Sequence, residues 1–156
     1  MASRFALGLA VAASAVLAFS AARAADEGDK EKKVEVKCPV SGKAIDKAHH
    51  VAYKDAEVYF CCPNCPKAFE KDTAKFATKA NLQLVQTEQA VEKKCPLTGR
   101  PLNKEQMVSI EGVEVQFCCG NCKGKVAGMD KEKQLEAVFA DKAFDKAYEV
   151  KKPEKK

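Results

Sequence analysis

The chain has 156 residues, of which 31% are charged and 7% aromatic, with no tryptophan and a formal net charge of +5. Its lysines alternate with acidic residues, and no basic face interleaved with aromatic side chains is visible, so we do not expect nucleic-acid binding. The chain also lacks a nucleophilic triad, paired carboxylates, a glycine-rich phosphate loop and a dinucleotide motif. We therefore do not expect an enzyme.

The first residues predict export. Arg4 precedes a run of apolar and small residues from Phe5 to Phe19, and an A-x-A cleavage pattern follows at 22–24. The run is too short and too rich in alanine to span a bilayer well, so we expect residues 1–24 to be a cleaved Sec-type signal peptide. An uncleaved N-terminal anchor is the alternative. The expected product is a secreted or periplasmic chain that, once cleaved, has no membrane attachment.

An internal repeat dominates the remaining sequence. Residues 38–65 read CPVSGKAIDKAHHVAYKDAEVYFCCPNC, and residues 95–122 read CPLTGRPLNKEQMVSIEGVEVQFCCGNC, at a constant offset of 57 without a gap. The two copies contain all eight cysteines of the chain: Cys38, Cys61, Cys62 and Cys65 in the first, Cys95, Cys118, Cys119 and Cys122 in the second. A duplicated cysteine module accounts for this pattern.

Each copy predicts a turn, a β-hairpin and a helix. Cys-Pro-x-Ser/Thr-Gly is typical of a tight turn. In the first copy, β-branched and aromatic runs at 50–53 and 56–60 flank a two-residue turn, and a helical pattern follows from Pro66 to Phe76. The second copy repeats this pattern, with strands at 107–110 and 113–117 and a weaker helix from Lys123.

The segments around the copies complete a small α+β fold. We expect short strands at Leu82–Thr87 and Ala90–Lys94, and a closing amphipathic helix over Lys133–Val150 that packs on the modules. The predicted organisation is a signal peptide (1–24), a disordered lead-in (25–33), a first module (34–80), connecting strands (81–94), a second module (95–130), a closing helix (131–150) and a disordered tail (151–156).

The spacing of the cysteines favours metal binding. A turn cysteine, a hairpin and a cysteine pair at a helix start bring distant sulfurs together, and helix N-termini favour the thiolate form that binds Zn²⁺ or Cu⁺. Either Cys61 or Cys62 could act with Cys65 and Cys38. Convergence of all four on one ion is sterically awkward because Cys61 and Cys62 are adjacent.

The Phe-Cys-Cys-x-Asn-Cys segment and its spacing from the turn cysteine resemble TRASH/YHS-type metal-binding modules. That resemblance implies small treble-clef-like units for heavy-metal trafficking, buffering or sensing, with one Zn²⁺ or Cu⁺ per module and a metal transporter or another exported metal protein as partner. It also implies a ligand set of Cys38, Cys61 and Cys65 with the repeat mates Cys95, Cys118 and Cys122. Ser41 and Thr98 stand where a treble-clef turn often has a second cysteine, so the fourth position falls to Cys62 and Cys119, a water or nothing.

Other roles for these residues compete with metal binding. An exported chain with an even number of cysteines can be stapled by disulfides, and Cys62-x-x-Cys65 could serve a thiol–disulfide oxidoreductase. His49 and His50 have no histidine at their repeat positions, so we expect a strand-edge role. Met107 is expected to pack in the core instead of binding metal.

Overall fold

The structure, a computed structural model, describes residues 34–152. Those residues form an α+β fold with five helices and three two-stranded antiparallel sheets. The elements in chain order are β1 (Asp46–Tyr53), β2 (Ala56–Phe60), α1 (Asn64–Lys71), α2 (Thr73–Gln86), β3 (Ala90–Glu92), β4 (Asn103–Ile110), β5 (Val113–Phe117), α3 (Gly120–Ala127), α4 (Lys131–Phe139), α5 (Asp141–Ala147) and β6 (Tyr148–Val150). The predicted signal peptide (1–24), the lead-in (25–33) and residues 153–156 of the tail lie outside the described residues.

Both predicted hairpins are confirmed. Strands β1 and β2 pair around Lys54 and Asp55, whose φ angles are +50° and +63°, and β4 and β5 pair around Glu111 and Gly112, at +47° and +84°. Two consecutive positive φ angles are typical of the tight turns that match the twist of a hairpin. Each hairpin also has one register irregularity at the same place in the repeat, so the duplication extends to the backbone.

The segment after the first hairpin is more helical than predicted. Helix α1 ends at Lys71, and Asp72 begins α2 by accepting a hydrogen bond from the Lys75 backbone N–H at 3.2 Å. Helix α2 then continues to Gln86, so the predicted strand at 82–87 is wrong. Its apolar residues continue the helical spacing of the preceding turns, which buries Ala77, Ala80 and Leu84 in the core.

The predicted closing helix is two helices and a strand. Helices α4 and α5 are separated at Ala140, which has an extended ψ of 149°, and the chain then leaves α5 as strand β6. Asn81 of α2 donates a hydrogen bond of 2.8 Å to the carbonyl of Phe139, the last residue of α4. The predicted strand at 90–94 is present as β3, which ends at Glu92. It pairs with β6, near the C-terminal end of the described residues.

One continuous hydrophobic core joins the two halves of the repeat. It contains Phe60 and Phe69 from the first half, Phe117 and Val126 from the second, and Phe139 from α4, all at most 2% exposed. A polar contact joins the first hairpin to α5, because the Lys54 ammonium at the hairpin turn pairs with the Asp141 carboxylate at 3.1 Å. No helix within residues 34–152 is long and apolar enough to cross a membrane.

Candidate metal centre

A tight turn positions the first cysteine of each module. In the first module, the Gly42 N–H donates to the Cys38 carbonyl and the Cys38 N–H donates to the Lys43 carbonyl, both at 2.8 Å. Cys95 and Gly99 form the equivalent contact in the second module at 2.7 Å. The two glycines have φ angles of +71° and +72°, a conformation in which a side chain is strained. The turn thus fixes a cysteine that is at most 1% exposed.

The hairpin and the following helix bring two further thiols to the turn cysteine. Cys61 follows strand β2 directly and Cys65 lies in the first turn of α1, with 3.7 Å between their Sγ atoms. Cys118 and Cys122 repeat this arrangement after β5 and in α3, again at 3.7 Å. We call Cys38, Cys61 and Cys65 the first triad, and Cys95, Cys118 and Cys122 the second triad.

The geometry of both triads suits a bound metal ion. In each triad all three Sγ atoms lie within 4.8 Å of one another, and within residues 34–152 these are the two groups of potential ligands that meet this condition. Thiolates about 2.3 Å from a tetrahedral Zn²⁺ stand about 3.8 Å apart. The observed separation of 3.7 Å between the second and third thiols is therefore close to that of a loaded site. Each triad could hold one metal ion.

The fourth cysteine of each module lies beside its triad, outside this mutual grouping. Cys62 Sγ is 3.4 Å from Cys65 Sγ, whereas Cys119 Sγ is 3.7 Å from Cys118 Sγ. Both side chains are half-buried at the edge of the site. The fourth thiol thus contacts its triad in both modules, and the two triads have the same composition and the same separation of their second and third thiols.

The hydroxyl residues of the turns contact the triads. Ser41 Oγ lies 3.1 Å from Cys61 Sγ, and Thr98 Oγ1 lies 3.3 Å from Cys118 Sγ. The resemblance to treble-clef turns marks these two residues only as positions where a cysteine is often found. Their matching positions in the repeat were the signal that could have indicated a hydrogen bond to the neighbouring thiol.

Electrostatics differ between the members of a triad. Burial raises the pKa of Cys38, but hydrogen bonds from the Ser41 side chain and from backbone N–H groups outweigh it and lower the pKa to about 7. Cys95 has a pKa of about 7 for the same reasons, with Thr98 in place of Ser41. Burial and neighbouring thiols raise the pKa of Cys65. A metal ion binds cysteine as the thiolate, so metal binding must release the protons that the raised pKa values of Cys65 and Cys122 keep on these thiols.

The helix N-termini act on the fourth cysteines more than on the triads. The Cys65 thiol and the backbone N–H groups of Asn64 and Cys65 lower the pKa of Cys62. The backbone N–H of Cys122 likewise lowers the pKa of Cys119. The expected preference for thiolate at a helix start thus falls on the residues just before each helix, because Cys65 and Cys122 are buried.

None of the eight cysteines is in a disulfide, and no two sulfurs stand at bonding distance. Neither histidine belongs to a triad: His50 Nδ1 lies 3.3 Å from the Lys47 carbonyl, and Nε2 lies 4.0 Å from a Glu57 carboxylate oxygen. Met107 is half-buried in strand β4, where it pairs with Gln116. Within residues 34–152, the candidate metal ligands of both triads are therefore cysteines.

Two polar residues near the triads, the buried Gln83 and the half-buried Glu92, were missed by sequence reasoning. Gln83 of α2 accepts a hydrogen bond of 2.6 Å from the Tyr59 N–H, and Glu92 of β3 accepts one of 2.8 Å from the Gln116 N–H. Tyr59 and Gln116 are repeat mates, two residues before Cys61 and Cys118. The same backbone donor is thus satisfied by an amide in one module and by a carboxylate in the other. Only the tertiary packing of α2 and β3 reveals this role.

Glu92 should make stability depend on pH. Burial raises its pKa from 4.5 to about 7, with a smaller contribution from Cys95, although the Gln116 N–H opposes the shift. The stabilising protonated form is fully present below pH 4.5 and is lost as the pH rises through about 7. For metal-free reduced protein we expect urea unfolding to show a loss on the order of 2 kcal/mol over this window, after allowance for partial solvent screening.

The control for this prediction is Glu35, the repeat mate of Glu92, which is exposed. E92Q should flatten the pH dependence of the free energy of unfolding, whereas E35Q should leave it as in the parent. An E92Q variant with the parental slope would show that Glu92 does not cause it.

No protein-family model, curated protein or solved structure matches this chain.

Proposed function

We propose that this chain is an exported metal-binding protein, and not an enzyme, that carries one Zn²⁺ or Cu⁺ in each of two TRASH/YHS-like modules. The observation that carries the proposal is the pair of cysteine triads, each with its Sγ atoms within 4.8 Å of one another. Soft thiolates at this spacing favour Zn²⁺ and Cu⁺ over hard cations. The resemblance noted in the sequence supports treble-clef-like modules, and the A-x-A pattern supports export to the periplasm or beyond.

The exposure of the sites favours metal handling over a purely structural role. Two members of each triad are at most 8% exposed, while Cys61 and Cys118 are half-buried at the surface. Structural zinc sites usually have four protein ligands and are closed. Three thiols with one accessible edge suit ions that enter and leave, and we therefore propose buffering, delivery or sensing of metal, with a transporter or another exported metal protein as partner.

A titration tests this function directly. Reduced mature protein, starting at residue 25, is titrated anaerobically with Zn²⁺ and separately with Cu⁺ in the presence of a competing chelator. We expect saturation at two equivalents, with proton release and thiolate-to-metal charge-transfer absorption for Cu⁺. Failure of both metals to compete with the chelator would refute the proposal.

One observation favours a second candidate, a thiol–disulfide oxidoreductase. Cys62, whose pKa is lowered, stands 3.4 Å from Cys65 in a C-x-x-C sequence at a helix start. In the second module Cys119 Sγ stands 3.7 Å from Cys118 Sγ, a longer contact than that of Cys62 with Cys65. Reduction of a disulfide substrate by the parent, and loss of that activity in C62S, would support the oxidoreductase.

A further inference from the structure

The two triads have the same thiols but different buried surroundings. In the first module, Gln83 accepts from the Tyr59 N–H and donates to the carbonyls of Lys37 and Tyr59, at 3.0 and 2.9 Å. Lys37 immediately precedes Cys38. A neutral amide therefore satisfies donors and acceptors of the two chain segments that lead into the first triad.

In the second module a carboxylate takes the place of this amide. Glu92 Oε2 accepts from the Gln116 N–H at 2.8 Å, while Oε1 is buried without a hydrogen-bond partner. Among the ion pairs of residues 34–152, none involves Glu92. The neighbouring Tyr148 hydroxyl is also buried without a partner. At a pH above its pKa, Glu92 therefore places a poorly compensated negative charge beside the second triad, whereas Gln83, at the equivalent contact beside the first triad, is neutral.

Glu92 lies close to the second triad. Its carboxylate accepts a hydrogen bond of 2.8 Å from the Gln116 N–H, two residues before Cys118, and Glu92 precedes Cys95 by three residues. Its electrostatic interaction with Cys95 also contributes to the raised pKa of the carboxyl. Glu92 is nevertheless outside the group of potential ligands that includes Cys95. It acts through its field, without coordinating the ion.

This field distinguishes cations by their charge. Three thiolates with Zn²⁺ carry a net charge of −1, and the same thiolates with Cu⁺ carry −2. A nearby carboxylate repels the second complex more than the first, and this difference does not depend on how the empty site is protonated. A unit charge beside a partly screened site changes such a ratio by on the order of fivefold.

Resting on the proposed metal-binding function, we propose that Glu92 makes the second triad more selective for Zn²⁺ over Cu⁺ than the first triad. The two modules are then unequal sites of one protein. The first triad exchanges Zn²⁺ for Cu⁺ at a lower concentration of free Cu⁺, and the second triad retains its Zn²⁺ up to a higher concentration.

The test uses the intact mature chain loaded with two Zn²⁺ at pH 8, under anaerobic reducing conditions. Free Cu⁺ is raised in a chelator buffer while released Zn²⁺ is measured. The parent should release its two ions in two steps separated by on the order of fivefold in free Cu⁺. E92Q should move the second step down to the first, and E35Q, at the exposed repeat mate, should behave as the parent does.

Q83E supplies the converse change, because it introduces a carboxylate beside the first triad and should move the first step up toward the second. Gln83 donates two hydrogen bonds, so the fold of Q83E is checked by circular dichroism, and E92Q decides alone if Q83E does not fold. Release of both ions in one step by the parent, or an unchanged separation in E92Q, would overturn the inference. A parent that binds Cu⁺ but cannot be loaded with Zn²⁺ would overturn this inference alone, whereas a parent that binds neither metal would refute the proposed function.

Discussion

Replacing Cys61 by serine should lower the metal affinity of the first module by about a hundredfold. Structural zinc sites with four ligands bind with about 10–16 kcal/mol, or roughly 3 kcal/mol per ligand, which corresponds to this factor. Cys61 is half-buried at the open edge of the first triad, so its replacement leaves the buried Cys38 and Cys65 in place. Competition with a chelator, in a chain whose second triad is intact, measures the loss at one site.

The matched control is C62S, which removes the adjacent thiol of similar exposure. Because Cys62 lies outside the first triad, we expect a loss below about tenfold. The pair C118S and C119S repeats the comparison in the second module. Equal losses for C61S and C62S would contradict a three-thiol site and indicate that all four sulfurs bind the ion.

Removing the metal should destabilise the protein by several kcal/mol. A ligand that binds only the folded state, at a free concentration a thousand times its dissociation constant, stabilises by about 4 kcal/mol per site. For a domain of this size, the loss of one such site lowers the midpoint of thermal unfolding by roughly 15 °C. The effect on this chain should reach the whole fold, because one core contains residues of both modules.

Calorimetry of the metal-loaded protein, with and without excess chelator and always with a reductant, checks this expectation. The reductant excludes disulfides as the source of stability. A chain with serine at all three positions of both triads is the control, since its midpoint should not respond to metal or chelator. A parental midpoint that does not respond to the chelator would contradict a role of metal in the folded state.

The hairpins and the tight turns could be predicted because local chemistry determines them, whereas the choice of Cys61 over Cys62 for the triad came from the resemblance to TRASH/YHS-type modules. Alternating β-branched residues, a two-residue turn with Gly112 or Asp55, and Cys-Pro turns are short-range signals. The repeat then showed that each signal occurs twice at one spacing. The structure confirms both hairpins and brings Cys38 to Cys61 and Cys65, although these residues are far apart in the sequence.

The elements that sequence reasoning missed depend on distant partners. Leu82 and Leu84 have the i, i+2 spacing of apolar residues in a strand. They nevertheless lie in the last turns of α2, which begins at Thr73 and continues to Gln86. The break before α5 is stabilised by Asn81, which hydrogen-bonds to the Phe139 carbonyl across 58 residues of sequence. Strand β6 exists because β3 offers an edge to pair with. Neither contact has a local signature.

The polar residues Gln83 and Glu92 near the site could not be identified from the sequence for the same reason. Gln83 and Glu92 read as surface residues of a charged sequence, and nothing in the repeat links them, since the repeat mate of Glu92 is the exposed Glu35. Their equivalence becomes visible only where both accept a hydrogen bond from the repeat mates Tyr59 and Gln116. The duplication therefore predicts the thiols, while the differences between the two sites arise from the surrounding fold.

Native mass spectrometry of the mature chain, purified without reductant or chelator, distinguishes bound metal from disulfides. We expect a chain with two bound metal ions whose mass, after acid removes the metal, is that of eight free thiols. A metal-free chain lighter by eight hydrogens would contradict this expectation, because all eight cysteines would then be paired in four disulfides.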